Sequence, residues 1–240
     1  MSDMNILHIE TATPVCSVAL SSNGILVAYK DHDEANIHAS KLTVFIQEVL
    51  DEANCQMDDL HAVAVSKGPG SYTGLRIGVS VAKGICYALD IPLISVHTLD
   101  AMVSGFIMSH SEGYTSELLF CPMIDARRME VYSAVYNGRQ QQLEPVAARI
   151  IEGESFEKIT QKQAVVLFGE GADKFADLFS KNSSVIVHKG FKNSARYLIK
   201  QAFLHFSASE FEDVAYFEPF YLKDFVPTTP KRLLRDQSNL

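Results

Sequence analysis

No Cys-x-x-Cys pair, no apolar run long enough to span a bilayer and no excess of basic residues occurs in these 240 residues, and each absence removes a class of protein. The four cysteines, Cys16, Cys55, Cys86 and Cys121, are dispersed, and three sit in apolar periodic segments. That suits reduced, buried thiols rather than a disulfide frame or a zinc site. Without a spanning run or a signal-like amino terminus, the expectation is a cytoplasmic protein with no membrane partner. A formal net charge of −8 argues against an autonomous grip on a nucleic-acid backbone, which needs clustered Lys and Arg. RNA, where it is involved, is then held mostly by a partner. No Walker-type Lys-Ser/Thr pair follows the Gly-rich loop at residues 68–74, and no Ser-centred nucleophile elbow is present. What remains is an ordinary globule, 47% hydrophobic and 21% charged, long enough for one large or two small domains.

Residues 5–10, 15–20 and 25–30 are β-rich runs, and Asn23-Gly24 between the last two is a hairpin signal. A helix over 37–53 carries Leu42, Phe45, Ile46, Val49 and Leu50 on one face. Strand 62–66, a Gly-rich turn, a helix over 75–89, strand 93–96 and a helix from residue 98 complete a βββαβαβα order. The second half repeats this in shortened form, with strands at 118–124, 130–136 and 143–151, a short helix, strand 165–168 and helix 172–179. A further helix spans 194–206. Two tandem βββαβα units predict an α/β protein of ribonuclease-H-like type, with mixed sheets flanked by helices. The expected divisions are 1–100, a shortened second domain at 101–226, and a polar tail at 227–240.

Gly68 and Gly70 permit positive φ, Pro69 fixes the turn between them, and Ser71 or Thr73 can accept the first free amides of the next helix. Those amides suit an anion, or simply an ordinary strand-to-helix turn. The helix that follows is apolar nearly all round. Leu75, Val79, Ala82 and Cys86 form one stripe, and Ile77, Val81, Ile85 and Leu89 another. Gly74, Gly78 and Ala82 leave a groove for close helix packing, filled either by the same domain or by another subunit. Leu42, Gly74, Ile77, Gly78, Val81, Ala82 and Ile85 are the candidate partner-facing set. A large side chain at Gly78 is accordingly expected to abolish partner binding while leaving the fold near normal.

Five blocks taken together carry a resemblance: Ile6-Leu7-His8-Ile9-Glu10-Thr11-Ala12-Thr13, Cys16 to Leu20, Gly68 to Gly78, Ile124-Asp125-Ala126-Arg127-Arg128 and Glu218-Pro219-Phe220-Tyr221-Leu222. In this order they resemble the TsaB (YeaZ) family. The resemblance implies an actin-like (ASKHA) fold and a part in making N6-threonylcarbamoyladenosine at position 37 of tRNAs that read codons beginning with A. It implies a catalytically silent scaffold that pairs with a TsaD-like catalytic subunit through the 37–53 and 75–89 helices. A TsaE-like ATPase joins a larger complex, a separate synthase supplies the threonylcarbamoyl adenylate, and the chain alone forms a homodimer. TsaD holds a metal through two histidines separated by three residues. In Val96-His97-Thr98-Leu99-Asp100-Ala101-Met102 the matching positions are Thr98 and Met102, so no metal and no catalytic residue is expected.

Actin-like ATPases also use the first hairpin turn, where Asp is usual and this chain has Glu10. The second phosphate loop has only Gly169-Glu170-Gly171 as a weak counterpart. Glu10, Thr11, Gly68, Gly70 and Ser71 are therefore candidates for nucleotide or anion binding, with no tightly bound cofactor and ATP only at a complex interface. Two other classes stand beside the scaffold. A metal-dependent peptidase would use His32 and His38 with Asp31, Asp33 and Glu34, a run that also reads as a solvated loop. A homodimeric nucleotide-binding regulator would use the Gly-rich turns. Arg127 and Arg128 offer bidentate contacts to tRNA phosphate or a partner carboxylate, against a local salt bridge to Asp125.

Overall fold

The structure, a computed structural model, describes residues 4–34, 36–110, 114, 115 and 117–223. The expected polar tail at 227–240 lies outside the described residues. Strands β1 (Asn5–Glu10), β2 (Val15–Ser22) and β3 (Ile25–Asp33) make an antiparallel meander. Its β2–β3 turn is the expected Asn23-Gly24, at φ 52° and 76°, the left-handed pair that matches strand twist. Then come α1 (His38–Glu52), β4 (Leu60–Gly68), α2 (Tyr72–Leu89), β5 (Leu93–His97) and α3 (Thr98–Ser109). Strand β4 runs parallel to β1, and β5 parallel to β4, so the first sheet has the order β3-β2-β1-β4-β5.

The second half supplies β6 (Leu119–Asp125), β7 (Glu130–Tyr136), β8 (Gln142–Ile150), α4 (Glu157–Thr160), β9 (Val165–Phe168), α5 (Glu170–Asp173) and β10 (Val185–His188). Read from its antiparallel edge, this sheet is β8-β7-β6-β9-β10, the same order as the first. The repeated mixed order is the tandem ribonuclease-H-like arrangement predicted above. A 3-10 turn (Ala195–Leu198) and α6 (Ile199–Ser207) follow.

Three apolar clusters hold the layers. Helices α1 and α2 cover the outer face of the first sheet through Leu42, Phe45, Ile46, Val49, Val79 and Cys86. Phe156, Phe175 and Phe179 cover the outer face of the second. Between the sheets, Met102 and Phe106 of α3 pack with Ile94, Val96, Ile124 and Phe168, and the Phe106 and Phe168 rings stack at 4.1 Å. The four cysteines are free and buried, and burial raises the Cys16 thiol to about 11.

Two elements differ from expectation. Residues 172–179 do not continue as a helix: α5 is one turn, and Phe175 and Phe179 reach the core from the irregular turns that follow. The segment from Asn193 onward, grouped by sequence with the second half, lies against the first sheet. The Ala195 amide donates to Ser17 Oγ (2.7 Å), Glu212 N–H to Leu93 O (2.8 Å) and Phe220 N–H to Lys67 O (2.7 Å). Leu198 and Ala202 meanwhile join the inter-sheet core.

Candidate functional site

The β4–α2 connection is built against the β1–β2 turn. Ser71 caps α2 by accepting the Gly74 amide (3.2 Å), and its own amide donates to Ala12 O (2.7 Å). Thr11 Oγ donates to Gly74 O (2.8 Å). A Cβ at Gly70 would collide with Ala12, and one at Gly74 or Gly78 with Thr11. The small-residue groove is therefore filled by the domain's own β1–β2 turn, and Gly74 and Gly78 are not open to a partner. Ala82 and Leu42 are buried in the same domain's core. A large side chain at Gly78 would displace Thr11, so the expectation of a near-normal fold is corrected.

What α2 does leave outward is the second stripe. Ile77, Val81 and Ile85, four residues apart, are only partly covered, with Gly84 and the 85%-exposed Tyr87 beside them. The opposite flank is closed by residues 212–221, a strap the sequence reading missed. Arg76 Nε donates to Tyr221 Oη (3.2 Å), and its guanidinium lies 4.3 Å from the Tyr72 ring. Lys83 Nζ donates to the carbonyls of Ala215 and Phe217, each at 3.1 Å. Between strap and helix runs a groove of about 400 Å³ lined by Arg76, Ser80, Lys83, Phe217, Glu218 and Tyr221.

The candidate anion set converges, but its polar groups serve one another. Ser71 and Thr11 are engaged as above, Gly68 (φ 111°) packs under Phe220 O, and Glu10 Oε1 accepts the Ala12 amide at 2.6 Å. Glu10 is fully buried. Ser66 Oγ and Asn193 Nδ2 face its carboxylate without reaching hydrogen-bonding geometry, and Oε2 has no partner among the described residues. Desolvation pushes this carboxyl up to about 7, opposed by the Ala12 amide, Ser66 and Asn193. Glu170, at the start of α5, is likewise raised to about 7 by burial, with the Asp125 and Glu10 charges adding to the rise and backbone N–H donors opposing it. The floor between the two sheets thus carries acids rather than phosphate donors.

Asp125 forms no salt bridge with either neighbouring arginine. Its Oδ1 accepts Lys174 Nζ (2.7 Å) and the Arg127 amide (2.9 Å), and Lys174 also donates to Arg128 O and Glu130 O, both at 2.8 Å. Arg127 and Arg128 are exposed.

The peptidase ligand set is not assembled. The His38 ring is buried and donates to Thr13 O (3.0 Å) and Val15 O (3.3 Å), while His32 pairs with Glu34 (3.0 Å). Asp31 accepts Ser17, Ser194 and Arg196, and Asp33 pairs with Lys192 (2.8 Å). No group of three His, Cys, Asp or Glu side chains placed to hold a metal occurs among the described residues. Thr98 and Met102 are buried, the latter with its methyl over Gly169, and His97 lies edge-on to Phe220 at 5.7 Å.

The repeated 3-2-1-4-5 strand order defines an actin-like protein of tandem ribonuclease-H-like units. The family model described as TsaD, tRNA N6-adenosine threonylcarbamoyltransferase, matches residues 32–223. The tRNA threonylcarbamoyladenosine biosynthesis protein TsaB of Escherichia coli K12 is 32% identical over 231 residues, covering 93% of this chain and 96% of the relative. TsaB of Bacillus subtilis 168 is 32% identical over 168 residues, 69% of this chain and 70% of the relative. A solved Pseudomonas aeruginosa protein, described as similar to peptidase YeaZ, superposes with a TM-score of 0.78 at 24% identity, over 93% of this chain and all of that one. The chain belongs to the TsaB family, within the wider TsaD-like group. No helix among the described residues is long and apolar enough to cross a membrane.

Proposed function

We propose that this chain is a non-catalytic subunit in the biosynthesis of N6-threonylcarbamoyladenosine in tRNA, acting by pairing through the outer face of α2 with a TsaD-like catalytic subunit. The observation that carries the pairing is the half-covered stripe Ile77, Val81 and Ile85, on a helix whose other face is already full. Fully burying such side chains stabilises by about 1.5–3 kcal/mol each, less where part of the area is already covered. The buried positions of Thr98 and Met102 support a structural use for the segment that carries the metal ligands in TsaD. In this reading a TsaE-like ATPase joins the complex and the chain alone dimerises through the same stripe. ATP touches it only at a complex interface, and the work is cytoplasmic.

Val81→Arg tests the pairing. It leaves Gly74, Gly78 and Thr11 untouched but puts a charge into the contact, so the melting temperature stays near wild type while co-purification with the TsaD-like paralogue and restoration of modified tRNA in a depleted strain are lost. Wild-type partner affinity in Val81→Arg overturns the α2 assignment. Intact pairing in the wild type without any threonylcarbamoyladenosine dependence overturns the function.

A further inference from the structure

We propose that the β6–β7 turn, residues 126–129, is a phosphate-reading contact for the tRNA, with Arg127 and Arg128 as its two cationic groups. The inference rests on the function proposed above and adds to it the residues of this chain that meet the substrate. It starts from an inverted use of charge. Both carboxylates at the base of the turn are occupied by lysines, Asp125 by Lys174 at 2.7 Å and Glu130 by Lys223. The two arginines, better suited to forked contacts, are left exposed with no hydrogen-bonded side-chain partner among the described residues. Of the four other described arginines, Arg139 is exposed on the β7–β8 turn and three are used internally: Arg76 on Tyr221, Arg149 on Glu144 and Arg196 on Asp31. A guanidinium presents a planar fork that fits phosphate oxygens in pairs.

The turn is also held in place at a cost. Arg127 and Arg128 have φ of 73° and 54°, two successive left-handed residues that are not glycine. They are kept so by Ala126 N–H to Glu130 O and Glu130 N–H to Arg127 O, both 3.1 Å, by Arg127 N–H to Asp125 Oδ1 at 2.9 Å, and by the three bonds from Lys174. A ligand therefore meets an ordered backbone, which lowers the entropy lost on binding. Met129, exposed by 48%, follows Arg128 in the turn, and Ile150, exposed by 65%, pairs with Glu130 across the β7–β8 ladder, which gives a ribose or base apolar surface within a residue or two of the arginines. The net charge of −8 disfavours the approach of a polyanion, so an RNA that approaches this chain needs a local cationic contact of this kind.

The test uses the complex of the full chain with its TsaD-like partner and a tRNA that reads a codon beginning with A. Affinity is measured across a salt series for wild type, R127Q/R128Q and R127K/R128K, with R139Q on the β7–β8 turn as a control. Expected are a loss of about tenfold in affinity and a log–log salt slope shallower by about one to two in R127Q/R128Q. The lysine pair should keep the slope, R139Q should match wild type, and light scattering should show complexes of unchanged mass. R127G relaxes the left-handed residue and serves as a second variant if the double variant misfolds, with a slope change near one. Unchanged affinity and slope in R127Q/R128Q overturn the proposal. Loss of a protein subunit from the complex also overturns it, and assigns the turn to an acidic protein segment. If the wild-type complex modifies tRNA while the variant binds it normally, this inference alone fails; if the wild-type complex neither binds nor modifies tRNA, the function fails with it.

Discussion

Replacing Glu10 with glutamine removes an ionisable group from the buried end of β1 at almost constant shape. The side chain is fully buried, and its Oε2 faces Ser66 and Asn193 without a bonded partner. Burial raises the carboxyl from 4.5 to about 7. In the unfolded chain the group ionises near 4.5, so between these values the folded state holds the proton longer. The group's contribution is intact below pH 4.5, is lost as pH rises towards 7, and stays constant as a cost above that. A shift of this size corresponds to on the order of 3 kcal/mol at pH 8. The rise to about 7 is already net of the charge-assisted Ala12 bond, and glutamine retains an oxygen for that amide.

Urea unfolding of Glu10→Gln and wild type at fixed ionic strength from pH 4 to 8.5 reads this directly. Near pH 4 the two should agree within about 1 kcal/mol, and by pH 8 the variant should be more stable by about 3 kcal/mol. Glu170 titrates over the same interval, so the variant keeps part of the wild-type decline, and only the double variant with Glu170→Gln should flatten it. The acid limb belongs to histidines lowered by desolvation: His97, His188 and, furthest, His8. His8, buried and bonded to Ser21 Oγ at 2.8 Å, is lowered by desolvation to about 3, so its contribution is intact above pH 6.5 and is lost as pH falls towards 3. That limb should be the same in both proteins. Parallel curves for wild type and Glu10→Gln across the whole range would refute the buried-acid reasoning.

Gly78→Ala should lower stability by about 1–3 kcal/mol, because the new methyl meets Thr11, whereas Gly84→Ala, with nothing within 4 Å, should raise it by about 0.5–1 kcal/mol; thermal melts of both decide. Ser17→Ala leaves the buried Ala195 amide without its acceptor and removes one of the three donors to Asp31, an expected loss of about 1–3 kcal/mol in urea unfolding that a neutral result would contradict. Tyr136→Phe removes the 2.6 Å bond to Asp100 and should cost about 1–2 kcal/mol by the same assay.

The sheet order was legible because strand runs and turn residues repeat locally. Asn23-Gly24 takes the left-handed pair it advertises, and each half opens with three short apolar, strand-forming runs. The truncated α5 was not legible, since Phe175 and Phe179 have helical spacing yet are buried from consecutive turns, which leave the same apolar pattern. Ser66 and Asn193 escaped notice as companions of Glu10 because isolated polar residues far apart in sequence carry no periodic signal, whereas Glu170 was named only within a weak phosphate-loop counterpart. The strap over α2 was hidden for the same reason: Tyr221 meets Arg76 across a sequence separation of 145.

The glycines of α2 mark where sequence reasoning reaches its limit. Gly74, Gly78 and Ala82 at four-residue spacing say that some backbone comes very close, and one does. Spacing cannot say whose backbone it is. A partner helix and the chain's own β1–β2 turn demand the same missing side chains, and Thr11 occupies the place through a bond to Gly74 O that no pattern in either segment announces. Once that side is filled, what stays open on α2 is its other face. A helix carrying apolar residues on nearly every side, with one face spent on Thr11 and the sheet and a flank spent on the strap, has Ile77, Val81 and Ile85 left over. Their partial exposure, rather than the glycine groove, is the physical reason to look for a partner there.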